Sequence, residues 1–402
     1  MEPTSGMPPV RPLHPSPGHQ MDPKDIVGRA GAVAHVWELL ERSGATLLLN
    51  EPRRIGKTSV LVLLGHAPPD PWLCVRQSFQ GVSTTVGLVE LALNGVQQQR
   101  GLTQRAREAV LAFLAGTKVK TTIEGVEFEL APSFRDDPIA ALERALHDVH
   151  DALGDRRLLL AWDEVPDMIA AIADTEGEAA ATRALALLRR FRENGNTSIR
   201  WLLTGSVGFH HVIRRLGRTD LLNDAENVDL GPLDQTWTRW LAHGLLLGAG
   251  VEAPSEAVVD ELAAASGGIA LLVHLAAKVV RDRRLTVLVP GQITGLLDDA
   301  VGDLDQGHQM TSLLSRLPLH YGEDAGLAAW LLDQLVAGPH SRADLHAAMV
   351  AADLPDRSDD DLRDILDWLR ADHYLDSPIV DGQRSYEWRY PALRRVWVLR
   401  RL

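Results

Sequence analysis

The residues best suited to chemistry lie in one short segment, Asn50 to Ser59, which reads Asn-Glu-Pro-Arg-Arg-Ile-Gly-Lys-Thr-Ser. It follows the apolar run 45–49, and an apolar helical pattern begins after it. A buried strand, a tight loop and a helix in this order direct backbone N–H groups and a helix N-terminus toward an anion such as phosphate. Lys57 would neutralise phosphate charge, and the Thr58 hydroxyl would bind Mg²⁺. The segment therefore predicts a phosphate-binding loop of the kind that nucleotide binding needs.

One position departs from the usual pattern of such loops, G-x-x-x-x-G-K-[ST]. Counting back from Gly56-Lys57-Thr58, the first glycine is replaced by Glu51. Glycine is usual there because the chain turns sharply. A glutamate adds negative charge near the phosphates and requires an adjusted turn. The alternative interpretation is a strand, a turn and a helix with a chance Gly-Lys-Thr.

Composition limits the class of protein. The chain has 402 residues, enough for two or three domains, with 45% hydrophobic and 24% charged residues. No apolar run approaches the roughly 18 residues of a membrane helix. The single cysteine, Cys74, excludes an internal disulfide and indicates a reducing cytoplasm. The net charge of −13 argues against a surface that coats nucleic acid.

The chain divides into four predicted segments. Residues 1–24 contain seven prolines, no continuous apolar stretch and no secretory signal, and we expect a disordered leader. Short apolar strands alternate with helices over 25–232, including a long helix at 177–194 and a small β-hairpin at 119–131, which predicts an α/β domain with a parallel sheet. Residues 233–305 predict a helical lid. Residues 306–402 predict three helices and a hairpin, the order of a winged helix.

Two further strand ends carry polar side chains. The run 157–162 ends in Asp163 and Glu164, and a later strand ends in Thr204. Ligands of open α/β sheets lie at the carboxyl ends of the strands. Asp163 would hold Mg²⁺ through water, Glu164 would polarise the attacking water, and Thr204 would hydrogen-bond that water or a γ-phosphate. The alternative is a set of solvated strand ends.

Four segments together resemble the archaeal-type ATPase family, in the STAND branch of the AAA+ class: Val27-Gly28-Arg29, Pro52-Arg53-Arg54-Ile55-Gly56-Lys57-Thr58-Ser59, the strand ending in Asp163-Glu164, and Leu203-Thr204-Gly205-Ser206-Val207-Gly208-Phe209. The resemblance covers residues 26 to about 402. It implies a P-loop AAA+-like sheet domain, a helical lid and a C-terminal winged helix. It also implies ATP and Mg²⁺ as cofactors.

The resemblance assigns roles by motif. Val27-Gly28-Arg29 would border the adenine pocket, and residues 52–59 would hold the phosphates. Gly267-Gly268 would correspond to the glycine-containing motif of the lid that approaches the nucleotide. That motif usually continues with a proline, whereas Ile269 follows here. Together with Glu51, this departure favours nucleotide binding with slow turnover.

Arginines that follow Thr204 are candidate catalytic residues. In related ATPases an arginine in this region reaches the γ-phosphate of a neighbouring subunit, and Arg214 and Arg215 are the candidates here, with Arg218 nearby. The alternative is a solvated basic helix end, which suits the helix dipole.

The C-terminal region leaves two functions open. Its third helix begins Ser358-Asp359-Asp360-Asp361, and these acids would repel DNA phosphates. Its basic residues instead lie among aromatic residues at the chain end, typical of a helix docked on the wing or of a protein-docking surface. The first hypothesis is an ATP/ADP switch that controls self-association or a partner protein. The second is an ATPase or regulator that binds duplex DNA.

Overall fold

The computed structural model describes residues 7–19, 21–42, 45–115, 137–193, 198–205, 208–302, 317, 320–352, 354, 357–380 and 382–401. The backbone forms two compact units. The sheet unit comprises Gly31–Asn50 and Val60–Asp229, and the lid unit comprises Met1–Ala30, Glu51–Ser59 and Leu230–Leu402. The phosphate loop is therefore grouped with the C-terminal part of the chain, a division that differs from the segments predicted from the sequence.

A five-stranded parallel sheet organises the sheet unit. Its strands are β1 (Thr46–Asn50), β2 (Trp72–Ser78), β3 (Arg157–Asp163), β4 (Ile199–Gly205) and β5 (Glu226–Asn227). Their order across the sheet is β2-β3-β4-β1-β5, and every pair is parallel. The central strands are almost continuously apolar because both faces of the sheet are covered.

Helices cover both faces of this sheet. They are α1 (Ala30–Leu40), α2 (Lys57–His66), α3 (Thr85–Gln98), α4 (Gln104–Ala115), α5 (Pro138–Ala152), α6 (Val165–Glu176), α7 (Glu178–Glu193) and α8 (Phe209–Arg215). In the core the Trp162 and Trp201 rings meet edge to face, with centroids 4.7 Å apart, and Phe79 packs on Trp162. This aromatic packing holds β3 and β4 together beside the polar residues at their carboxyl ends.

Four helices form the lid: α9 (Gln235–Ala249), α10 (Glu256–Ser266), α11 (Ala270–Asp282) and α12 (Ile293–Gly302). Asp234 and Ser255 cap α9 and α10 by accepting backbone N–H bonds from Trp237 and Val258. The inward faces of these helices share one hydrophobic cluster with the C-terminal elements. The lid and the C-terminal region are thus parts of one packed body.

The C-terminal region has the order of a winged helix. Its elements are α13 (Ala325–Gln334), β6 (His340–Ser341), α14 (Arg342–Ala351), α15 (Asp359–Ala371), β7 (Leu375–Asp376), β8 (Ile379–Val380), β9 (Gln383–Trp388) and α16 (Pro391–Arg401). β9 pairs antiparallel with β6, β7 and β8. Ser358 and Asp361 form a reciprocal capping box at the start of α15, which explains part of the acidic run.

Residues 8–16 of the N-terminal segment are packed, in contrast to the disorder expected for residues 1–24. Leu13 is 3% exposed, and its N–H donates to the carbonyl of Gly244 at 2.8 Å. The Trp240 indole donates to the carbonyl of Pro8 at 2.8 Å, and the N–H of Ser16 donates to Nδ1 of His274 at 3.2 Å. Gly244 and Gly248 of α9 leave room for the backbone of residues 11–13 to lie against the helix. The proline content of the segment does not reveal this fit.

Smaller differences concern element limits. The helix expected at 177–194 is confirmed as α7 (Glu178–Glu193), and Gly177, with φ 92°, separates it from a preceding helix, α6, that the sequence analysis did not specify. The apolar pattern of residues 227–230 also predicts a short strand, and the structure has a strand only over Glu226–Asn227. The hairpin expected at 119–131 lies outside the described residues. Within the described ranges, no helix has both the length and the apolar character needed to cross a membrane.

Replacing Gly248 with alanine is expected to release the N-terminal segment. A Cβ at this position would lie 1.8 Å from the carbonyl oxygen of Leu13. Exposing Leu13 and breaking its hydrogen bond costs about 2 kcal/mol. Amide exchange at Leu13 should therefore accelerate about thirtyfold, measured by hydrogen–deuterium exchange.

The matched control is Gly295→Ala in α12, where a Cβ would meet nothing within 4 Å. This change should leave exchange at Leu13 unaltered and stabilise the helix slightly. Equal protection of residues 8–16 in Gly248→Ala and the wild type would contradict the observed docking.

Candidate nucleotide site

The predicted phosphate loop runs from Glu51 to Gly56 and leads into α2 at Lys57. Gly56 has φ 114°, which only glycine adopts readily, and a Cβ there would approach Nη2 of Arg29 at 3.2 Å. Arg54 also has a positive φ, 76°. Such backbone angles are uncommon for residues with side chains and concentrate at functional sites. The loop is therefore tightly turned although its first position is not glycine.

Lys57 lies within the curve of this loop. Its Nζ donates to the backbone carbonyls of Glu51 and Pro52, the latter at 3.0 Å, and the residue is 7% exposed. The loop thus fixes a buried ammonium at the N-terminus of a helix, where helix and cation both favour an anion. Thr58 is exposed in the first turn of α2. Of the other predicted loop residues, Arg53, Arg54 and Ser59 are half-buried, and Pro52 and Ile55 are buried.

Arg29 ties the loop to the segment after β5. Its guanidinium donates to the carbonyls of Ile55 at 2.5 Å and Gly231 at 3.0 Å. Burial lowers its pKa to about 10, so it stays protonated at neutral pH. Gly28, with φ 68°, packs so tightly that a Cβ would lie 2.8 Å from the side chains of Leu233 and Trp237. The predicted contact of Val27, Gly28 and Arg29 with adenine remains a prediction.

Glu51 is the residue whose position the sequence did not explain. Its side chain is fully buried. Oε1 accepts from the backbone N–H groups of Leu230 at 3.1 Å and Gly231 at 3.2 Å, and Oε2 accepts from the Tyr390 hydroxyl at 2.8 Å. All three partners are donors, as an ionised carboxylate requires. The side chain that replaces glycine therefore anchors the loop and does not enter it.

Gly268, the lid residue predicted to approach the nucleotide, has a packing role. A Cβ at Gly268 would lie 2.2 Å from the carbonyl oxygen of Leu233, and the N–H of Leu233 donates to the carbonyl of Gly268 at 2.9 Å. Gly267 is similarly close to Ala392, at 2.9 Å. These contacts explain both glycines without a ligand, and a nucleotide contact of Gly268 stays a prediction.

In the sheet unit, three of the predicted site residues, Asp163, Glu164 and Thr204, lie at the carboxyl ends of neighbouring strands. The Thr204 hydroxyl donates to Oδ1 of Asp163, which also accepts the N–H of Glu164 at 3.1 Å. Thr204 pairs in register with Leu49, one residue before the end of β1. Glu164 itself has φ 60°, a left-handed angle unusual for glutamate. The structure thus brings Asp163, Glu164 and Thr204 together where β1 ends.

Two of the three predicted arginines, Arg215 and Arg218, have acidic partners within the chain. Arg215 lies 2.6 Å from Asp174 and is 41% exposed. Arg218 donates to both oxygens of Asp220. Both ion pairs are exposed and contribute little stability. These ion pairs fit the alternative of a solvated helix end. The contact of Arg214 or Arg215 with the γ-phosphate of a neighbouring subunit stays a prediction.

Comparisons with solved structures agree with this fold. Over 93% of this chain and 97% of the other, it is similar to a Walker-type ATPase of Pyrococcus abyssi, with a TM-score of 0.62 and 18% identity. It is also similar to the ORC2 protein of Aeropyrum pernix in its ADPNP-ADP complexes, over 95% and 94% of the two chains, with a TM-score of 0.50 and 15% identity. Neither the protein-family models nor the curated proteins searched give a match.

At these identities the likeness is one of fold. The chain shares the mixed α/β fold of these two structures, with a five-stranded parallel sheet and many helices, and the α/β fold class predicted from the sequence is confirmed. In the strand order β5-β1-β4-β3-β2, the strand that precedes the loop in the chain, β1, lies two positions from β3, the strand that ends in Asp163. Fold alone does not establish activity, which rests on the site residues.

Proposed function

We propose that this chain is an ATP-binding switch of the STAND/AAA+ type, with slow Mg-ATP hydrolysis that controls self-association or a partner protein. One observation carries the proposal: the phosphate loop with its buried Lys57 follows β1, and Asp163, Glu164 and Thr204 converge on the same end of the neighbouring strands. We further propose the division into an ATPase domain at 25–232, a lid at 233–305 and a winged helix at 306–402, in a cytoplasmic protein.

The residues fit the proposed cofactors. Lys57 and the N-terminal turn of α2 would bind the phosphates, and oxygen donors from Thr58 and Asp163 suit Mg²⁺. Bound Mg²⁺ would neutralise phosphate charge. Glu164 would take the proton of the attacking water, and Thr204 would fix the carboxylate of Asp163, to which it already donates. Val27, Gly28 and Arg29 would border the adenine.

The C-terminal region supports a protein-facing output better than a DNA-facing one. Two of the terminal arginines are engaged internally: Arg395 donates to both oxygens of Asp298 at 2.6 Å, and Arg401 donates to Asp333. The Trp397 ring lies 5.6 Å from that of Trp388, as expected for a helix docked on the wing. Phosphate contacts need available basic side chains, whereas the exposed start of α15 is acidic.

Replacing Lys57 with alanine should weaken Mg-ATP binding about tenfold to a hundredfold, because it removes a charge-assisted contact to phosphate. Isothermal titration calorimetry measures this directly. The matched control is Lys278→Ala on α11, whose ammonium pairs with Asp282. Equal ATP affinity in the Lys57 variant and the wild type would refute the assignment of the loop.

Glu164→Gln should keep ATP affinity and lower turnover about a hundredfold or more, since the amide keeps the size of the side chain but cannot accept a proton. Phosphate release under single-turnover conditions gives the rate. Glu38→Gln, an exposed change on α1, serves as the control. If turnover in Glu164→Gln matches the wild type, Glu164 has no part in hydrolysis.

Nucleotide is expected to change the assembly or shape of the protein, because a switch requires different ATP affinities in its two states. Sedimentation velocity of Glu164→Gln with ATP should differ from that of the wild type with ADP. Adding Arg215→Ala to Glu164→Gln tests whether assembly needs this arginine. Identical sedimentation in both nucleotides would argue against a switch.

A further inference from the structure

The carboxylate of Glu51 connects the phosphate loop to the far end of the chain. Two of its three donors are backbone N–H groups at 230 and 231, and the third is the Tyr390 hydroxyl at 2.8 Å. Arg389 lies further away, with Nη2 4.0 Å from Oε1. Of these groups, Tyr390 and Arg389 belong to the winged-helix region. The first residue of the loop is therefore hydrogen-bonded directly to that region.

Tyr390 lies at the junction between β9 and α16. Its carbonyl accepts the N–H groups of Leu393 and Arg394 in the first turn of α16. Burial, and next the charge of Glu51, raises the pKa of the Tyr390 hydroxyl above its ordinary value, so it remains a donor at neutral pH. The guanidinium of Arg389 lies 5.4 Å from the centre of the Tyr390 ring. In this docked arrangement, with the Tyr390 hydroxyl bonded to Glu51, the carboxylate is buried and keeps its charge, which hydrogen bonds and not water stabilise.

A phosphate chain held by the loop would place several negative charges near this carboxylate. Charges repel more strongly when protein, and not water, surrounds them. With the junction docked, Glu51 is excluded from water, and the repulsion between its carboxylate and the bound phosphates is greatest. Undocking would expose Glu51 to solvent and weaken the repulsion, although it would also break the bond to Tyr390. The charge of the nucleotide and the docking of the junction therefore oppose each other.

We propose that the Glu51–Tyr390 hydrogen bond is a latch between the phosphate loop and the C-terminal domain, and that ATP and the latch weaken each other. The inference rests on the proposed function, because it takes ATP as the ligand of the loop. It assigns to the replaced glycine a regulatory contact that the loop pattern does not contain. By linkage, the factor by which docking lowers ATP affinity equals the factor by which ATP lowers docking.

Two variants test the latch from its two sides. Tyr390→Phe removes the hydroxyl, and Glu51→Gln removes the charge but keeps the size. Hydrogen–deuterium exchange over residues 383–401 measures docking, and calorimetry with Mg-ATP or Mg-ADP measures affinity. We expect Tyr390→Phe to exchange faster without nucleotide and to bind ATP about tenfold more tightly, as expected for loss of a hydrogen bond to a charged group.

The wild type itself should exchange faster over 383–401 when ATP is added, and this response should be lost in Glu51→Gln, which should also bind ATP more tightly. The double variant should bind ATP no more tightly than the stronger of the two single variants, because both act through one contact. The control is Tyr386→Phe, a buried tyrosine of β9 whose hydroxyl is not bonded to Glu51. It should match the wild type in both measurements.

A purely structural role of Glu51 would give a different result. Both variants would then lose stability and bind ATP equally or more weakly, and ATP would leave exchange over 383–401 unchanged; this outcome overturns the latch. Absence of ATP binding by the wild type would instead overturn the proposed function, and the coupling with it. In that case exchange of Tyr390→Phe without nucleotide still decides whether the hydroxyl holds the junction.

Discussion

A buried carboxylate requires hydrogen-bond donors on every side, because an unpaired charge away from water costs several kcal/mol. Glu51 imposes this requirement on the start of the phosphate loop. Its donors come from two distant stretches, at 230–231 and at 390. Arg29 joins the loop to the first of these stretches a second time, through the carbonyls of Ile55 and Gly231. The path of the loop is therefore determined from outside it.

The sheet supplies a second constraint. Parallel pairing aligns the carboxyl ends of the strands, so residues that are far apart in the sequence come close together at these ends through strand pairing alone. Thr204 and Asp163 meet because β4 lies beside β3, and β1, the strand that precedes the loop in the chain, lies on the other side of β4. The aromatic core beneath, around Trp162 and Trp201, keeps these two strands in place.

Local patterns predicted much of this arrangement. The apolar runs of β1, β3 and β4, the helices of the winged-helix region and the grouping of Asp163, Glu164 and Thr204 follow from periodicity and from the rules of parallel sheets. Features that depend on distant partners were not predictable. The prolines of residues 1–24 suggested disorder. The packing of Leu13 against Gly244 and Gly248 was missed because it exists only once α9 has folded. Glu51 looked like a defect in a motif, because nothing near it in sequence identifies Tyr390 as its donor.

The wide separation of these partners bears on how the chain matures during synthesis. A ribosome releases residues in order, and domains tend to fold as their segments emerge. β1 must wait for β4, since Thr46 pairs with Trp201. The carboxylate at the head of the loop must wait longer still, until residue 390 has appeared. The loop therefore acquires its full set of hydrogen bonds only after residue 390 has emerged, and a chain that stops before this residue would carry an incompletely supported loop.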